Sequence, residues 1–131
     1  MTRRHDEHGS ITAFVVVVMV GLVACLALVV DGGRLVAART RAADLAENAA
    51  RAGAQEATGL RGDGEWSLDA DRAQAAATTF LSQRGVSGTV LVSGRRLTVT
   101  VTIEQSLPLL EAFGRGSRTV TATRTAELVD A

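Results

Sequence analysis

Twenty consecutive residues without a charged side chain, Ile11 to Val30, constrain this chain more than any other feature, and Thr12 is the only polar member of the run. A helix of that length rises roughly 30 Å, which matches the hydrocarbon thickness of a bilayer. A buried core helix would be shorter and would carry a polar face. A cleaved secretory signal would also be shorter and would end at an A-x-A-like site, which is missing from the polar end of this run. The segment therefore reads as a transmembrane helix, flanked by Arg3 and Arg4 before it and by Asp31, Gly32, Gly33 and Arg34 where it ends.

One rival reading stays open. Leu22-Val23-Ala24-Cys25 resembles the lipobox of bacterial lipoproteins, in which the cysteine is lipidated and becomes the mature N-terminus. Against it, the run continues apolar from Leu26 to Val30, where a mature lipoprotein turns polar. Cys25 also fits as a small apolar residue inside a membrane helix. It is the only cysteine, so an intramolecular disulfide or a thiol-rich zinc site cannot form in one chain.

Orientation is less constrained than insertion. Arg34, Arg39 and Arg41 after the run outnumber Arg3 and Arg4 before it, which alone would put the C-terminal side in the cytoplasm. Charge bias decides only for short flanking segments, up to roughly 60 residues, and the segment after Val30 is far longer.

From Arg34 to Ala57 the sequence is alanine-rich, lacks proline and reads as a helix that continues or restarts from the membrane surface. Leu35, Ala38, Ala42, Leu45, Ala49 and Ala52 recur at spacings of three and four, with most charges elsewhere. Such a narrow seam of small residues lets backbones approach closely, so it could pack on its own domain or on a neighbouring subunit. If the two segments join, Gly32-Gly33 is the weak point of the helix.

The order of motifs in this region resembles the TadE/TadG-like proteins of tight-adherence (Flp) pilus assembly. The similar residues are His8-Gly9-Ser10-Ile11-Thr12-Ala13-Phe14, the apolar run, Val30-Asp31-Gly32-Gly33-Arg34, and Ala42-Ala43-Asp44-Leu45-Ala46-Glu47-Asn48-Ala49-Ala50-Arg51-Ala52-Gly53-Ala54. The resemblance implies a minor pilin or assembly accessory, held in the cytoplasmic membrane with its N-terminus inside and its C-terminal domain outside. Its implied partners are membrane lipid and other pilus subunits. Cleavage by a prepilin peptidase would fall after Gly9 and leave Ser10 first. Phe14 would then occupy the place of the glutamate that registers subunits in a filament, and a permanently anchored accessory protein fits Phe14 better.

The rest of the chain predicts a compact α+β unit of pilin-like size. A helix is expected from Ser67 to Gln83, with Ala73, Ala76, Ala77, Phe80 and Leu81 on its apolar face and Asp69 and Asp71 in its first turn. Leu97, Val99, Val101 and Ile103 alternate with Thr98, Thr100, Thr102 and Glu104, the period of a strand buried on one face. A two-residue turn at Gly94-Arg95 would set Val92 opposite Leu97 and Val90 opposite Val99. Pro108 to Phe113 reads as a short apolar connection, and Thr119 to Val129 as a last strand whose inward side is Val120, Ala122, Ala126 and Leu128. Arg124 interrupts that side, at a sheet edge or beside an acid. The expected division is 1–10 as a tail or leader, 11–30 as the span, 31–57 as the membrane-proximal helix, and 58–131 as one helix packed on a three-stranded antiparallel sheet.

No catalytic, cofactor or metal site is expected. The two histidines, His5 and His8, both precede the apolar run, so the C-terminal region has no imidazole for a base or a ligand. The acidic group Asp63, Glu65, Asp69 and Asp71 fails the calcium-loop pattern, because Leu68 stands where that loop needs glycine. Fourteen arginines balance fourteen acids and only four residues are aromatic, so a basic, stacking surface for nucleic acid is not expected. No small-molecule substrate is evident either.

Overall fold

The computed structural model describes residues 7–58, 67–114 and 116–127. Helix α1 runs unbroken from Glu7 to Ala54, 48 residues, or about 72 Å at the standard rise. It is long and apolar enough to cross a membrane, and only 6% of its most apolar window is buried within the protein. A soluble core helix would hide that surface. The helix also passes through Gly32 and Gly33 without a break. Each glycine costs a helix about 1 kcal/mol against alanine, and buried residues on either side of the pair, Ala27, Asp31 and Ala38, tie the helix to the rest of the fold.

After α1, the two-residue strands β1 (Ala57–Thr58) and β2 (Ser67–Leu68) pair antiparallel. Helix α2 spans Ala70–Gln83, starting three residues later than the periodicity predicts. Ser67 and Leu68 are taken up by β2, and Asp69 becomes the N-cap, its Oδ1 accepting the Arg72 N–H at 3.2 Å. The other end of α2 closes in a Schellman motif. Val86 N–H donates to the Leu81 carbonyl and Gly85 N–H to the Ser82 carbonyl, with Gly85 at φ +64°.

Strands β3 (Ser87–Ser93), β4 (Arg96–Ser106) and β5 (Ser117–Glu127) form an antiparallel meander with β4 in the centre, and helix α3 (Pro108–Glu111) links the last two. Val92 faces Leu97 and Val90 faces Val99, the register expected from the hairpin. Gly94 has φ +59° and Arg95 does not have a positive φ, the pattern of a type II′ turn. The fold is thus α+β, a long apolar helix followed by a small unit with a helix and a three-stranded antiparallel sheet.

One face of this sheet is covered by two helices. The second half of α1 packs on β4 and β5, while α2 packs on β3 and against α1. The core joins Ala38, Ala42, Ala46, Ala49 and Ala50 of α1 to Ala73, Ala77 and Leu81 of α2 and to Val90, Leu97, Val99, Val101 and Val120 of the sheet. Alanine on both helices lets the layers approach closely, and the valines and leucine of the sheet fill the space between them. The opposite face is wet and threonine-rich, with Thr98 bonded to Thr125 at 3.1 Å and Thr100 to Thr123 at 3.0 Å. Arg124 is exposed on the edge strand β5, and its guanidinium donates to the Thr123 carbonyl at 3.0 Å. Leu128 and Val129 lie outside the described residues.

Candidate functional site

Among the described residues, the one buried charged side chain stands where the apolar run ends. Asp31 is fully buried, with a side-chain exposure of 0%. Its Oδ2 accepts the backbone N–H of Leu110 at 2.8 Å. The first turn of any helix has N–H groups without intrahelical acceptors, and they need a cap or water. In α3, Pro108 has no N–H to donate, and the N-cap residue Leu107 has no side-chain acceptor. Asp31 therefore caps α3 from another element, 79 residues earlier in the chain. Its other oxygen, Oδ1, has no hydrogen bond and lies 3.7 Å from a guanidinium nitrogen of Arg34. Arg34 is half exposed, so that ion pair contributes little by itself.

This contact ties the β4–β5 connection to α1 at one level. Leu107 is buried beside it, and its N–H donates to the Gly116 carbonyl at 2.8 Å, closing the base of the connection. Leu110 and Phe113 line a shallow apolar groove with Ala24, Cys25 and Leu28 of α1. Asp31→Ala should remove the only described side-chain acceptor of the Leu110 N–H and destabilise the junction by about 1–3 kcal/mol. Asp31→Asn keeps an acceptor and should lose less. Hydrogen exchange at Leu110 in the full chain in micelles checks this: faster exchange in the alanine variant is expected, and unchanged protection would mean that Asp31 is not the cap.

The other residues singled out from the sequence fall as follows. Gly9 and Ser10 lie in the first turns of α1, with Ser10 exposed. Gly32 and Gly33 are exposed inside the continuous helix, and an added Cβ at either would meet nothing within 4 Å. Cys25 is an exposed free thiol in the middle of α1. Of the small-residue seam, Ala38, Ala42 and Ala49 are buried and Leu35, Leu45 and Ala52 half-buried. Ala46, Ala50 and Gly53 are also buried, so the stripe is wider than the seam read from the sequence. A sheet offers a broad surface to a helix, whereas a seam of two positions per heptad suits a single partner helix. The spacing of four that leads from Ala42 to Ala46 and Ala50 was the available signal.

Asp63 and Glu65 of the acidic group, and His5, lie outside the described residues. Asp69 and Asp71 serve the start of α2. Among the described residues, no three His, Cys, Asp or Glu side chains gather to hold a metal ion. A second shallow groove runs between α1 and α2, lined in part by Ala52, Glu56, Arg72 and Phe80. At its edge the Arg84 guanidinium lies 3.6 Å from the centroid of the Phe80 ring, a cation–π contact on the surface.

Residues 9–56 match the family model described as Flp pilus-assembly TadE/G-like. The match covers most of α1 and the turn after it, a little over a third of the chain, and leaves out α2 and the three-stranded sheet. No curated protein and no solved structure matches the chain.

Proposed function

We propose that this chain, TadE/G-like from residue 9 to 56, is a membrane-anchored minor pilin or accessory component of tight-adherence (Flp) pilus assembly. The observation that carries this reading is the coincidence of the family match with α1, whose first half presents exposed apolar side chains while its second half packs into the folded unit. Such a helix serves as a membrane stem and as a core element together. In this reading residues 11–30 lie in the cytoplasmic membrane, the N-terminus faces the cytoplasm, and the unit after Arg34 stands outside. The chain acts by contacts with other pilus subunits and with lipid, in a structural and non-enzymatic role. Phe14, in place of a filament-registering glutamate, favours a subunit that stays anchored and keeps the sequence before Gly9.

Protease shaving of intact cells, combined with deletion of the chain, tests the reading. External protease is expected to remove the region after Arg34 and leave a membrane-protected fragment, and deletion is expected to abolish surface Flp pili, with recovery on complementation. Full protection of the C-terminal unit would reverse the orientation, and normal piliation in the deletion strain would overturn the assembly role.

A further inference from the structure

The apolar connection between β4 and β5 does not stay beside the folded unit. It packs against α1, and Leu110 and Phe113 line one apolar groove with Ala24, Cys25 and Leu28 of the apolar run. Ala24 precedes Asp31 by seven residues, or about 10 Å along the helix axis. Ala27, within this stretch, is only 5% exposed, in contrast to Leu26 and Leu28 on either side of it. Leu109 and Phe113 remain exposed, Phe113 at 60%, as do Leu26, Leu28 and Val29 of α1, and Phe113 shares its groove with Leu28.

We propose that the α3 segment, α3 with the turn that follows it, is a second membrane contact, with Leu109 of the helix and Phe113 of the turn inserted into the interfacial zone of the leaflet beside α1, and that the Asp31 cap holds the segment at that depth. The proposal rests on the anchoring of α1 put forward above. Once α1 spans the bilayer with residues 11–30, any group packed against Ala24 to Leu28 occupies the level of the lipid, so the occupant of this surface follows from continuity with the span.

Three features fit that medium. Backbone polar groups must be satisfied internally near hydrocarbon, and here the Leu110 N–H bonds Asp31, the Glu111 N–H bonds Leu107, the Phe113 N–H bonds Leu110 and the Gly114 N–H bonds Glu111. The large apolar side chains exposed on this segment are leucine and phenylalanine, both favourable in lipid. Glu111 lies against Gly116, where the chain turns back toward the sheet, which limits insertion to the interface and keeps its carboxylate within reach of water. A contact of this kind, off the axis of α1, would fix the tilt of the folded unit on the membrane, which a single helix cannot do.

The test uses the full chain in vesicles, with Trp66→Phe as background and a single tryptophan introduced by Phe113→Trp or, in a second protein, by Leu109→Trp. A third protein carries Val20→Trp and reports on the span itself. Lipids brominated at shallow or deep acyl positions act as quenchers. Both α3 probes are expected to lose most of their emission to shallow bromines, and the Val20→Trp probe to deep ones. If the Val20→Trp probe is quenched while both α3 probes respond only to aqueous iodide, α3 is in water and the proposal falls. If the α3 probes are shielded from both quenchers, another protein surface covers them and the proposal falls as well. If no probe is quenched by lipid, the anchoring reading fails and takes this one with it.

Discussion

Leu97→Ala should destabilise the folded unit by about 2–5 kcal/mol, the range for a fully buried leucine truncated in a core that cannot collapse onto the gap. Leu97 is 0% exposed on the central strand β4. Its Cδ2 reaches the place where Gly53 of α1 would carry a Cβ, so it fills the space at the crossing of helix and sheet. The helices facing it are lined largely by alanine, whose methyl groups cannot extend to fill the void. A loss of this size is a large part of the roughly 5–15 kcal/mol that holds a typical domain together. The measurement is hydrogen exchange of the β4 amides in the full chain in micelles, because the helical signal of α1 would persist while the sheet opened. Leu91→Ala is the matched control: Leu91 is 65% exposed on β3, so its loss should stay within about 0.5 kcal/mol. Equal effects from the two variants would contradict this packing.

Gly53→Ala should also destabilise, by about 1–3 kcal/mol, although the same change favours an isolated helix, by about 1 kcal/mol in the interior and by less in the last turn, where Gly53 lies. The added Cβ would sit 2.7 Å from the backbone oxygen of Ala73 and would strike the Leu97 side chain. A backbone atom cannot rotate away, so α1 and α2 would have to separate. The opposite signs make the experiment decisive. A peptide spanning the second half of α1 should gain helicity from the substitution, while the full chain should lose stability in denaturant titration. A more stable full chain would show that the helices do not cross closely at Gly53.

Much of this architecture was legible from local pattern. Leu97, Val99 and Val101 alternate with threonines, and all three are fully buried. The register of β3 on β4 followed from Gly94 at the turn, because a two-residue loop leaves one pairing available. The apolar run of α1 was legible for the same reason, since its signal lies wholly in consecutive residues. The start of α2 was misplaced by three residues because Ser67 and Leu68 pair with Ala57 and Thr58, a tertiary demand that no helical periodicity records.

The partner of the alanine stripe was beyond local pattern. A seam of small residues has the same spacing whether it meets its own sheet or another subunit, and the structure sends it to β4 and β5. In the sequence Asp31 is the polar end of a membrane run and part of the motif that follows it, and Leu110 is part of an apolar connection, with nothing in either pattern to pair them.

Sequence alone determined what each segment can be, because hydropathy and periodicity belong to neighbouring residues: a bare helix long enough for a bilayer, an alternating strand, a glycine turn. Tertiary structure alone decided which segments meet. The bond from the Leu110 N–H to Asp31 spans 79 positions, and a buried carboxylate finds its donor only after the chain has closed into three dimensions.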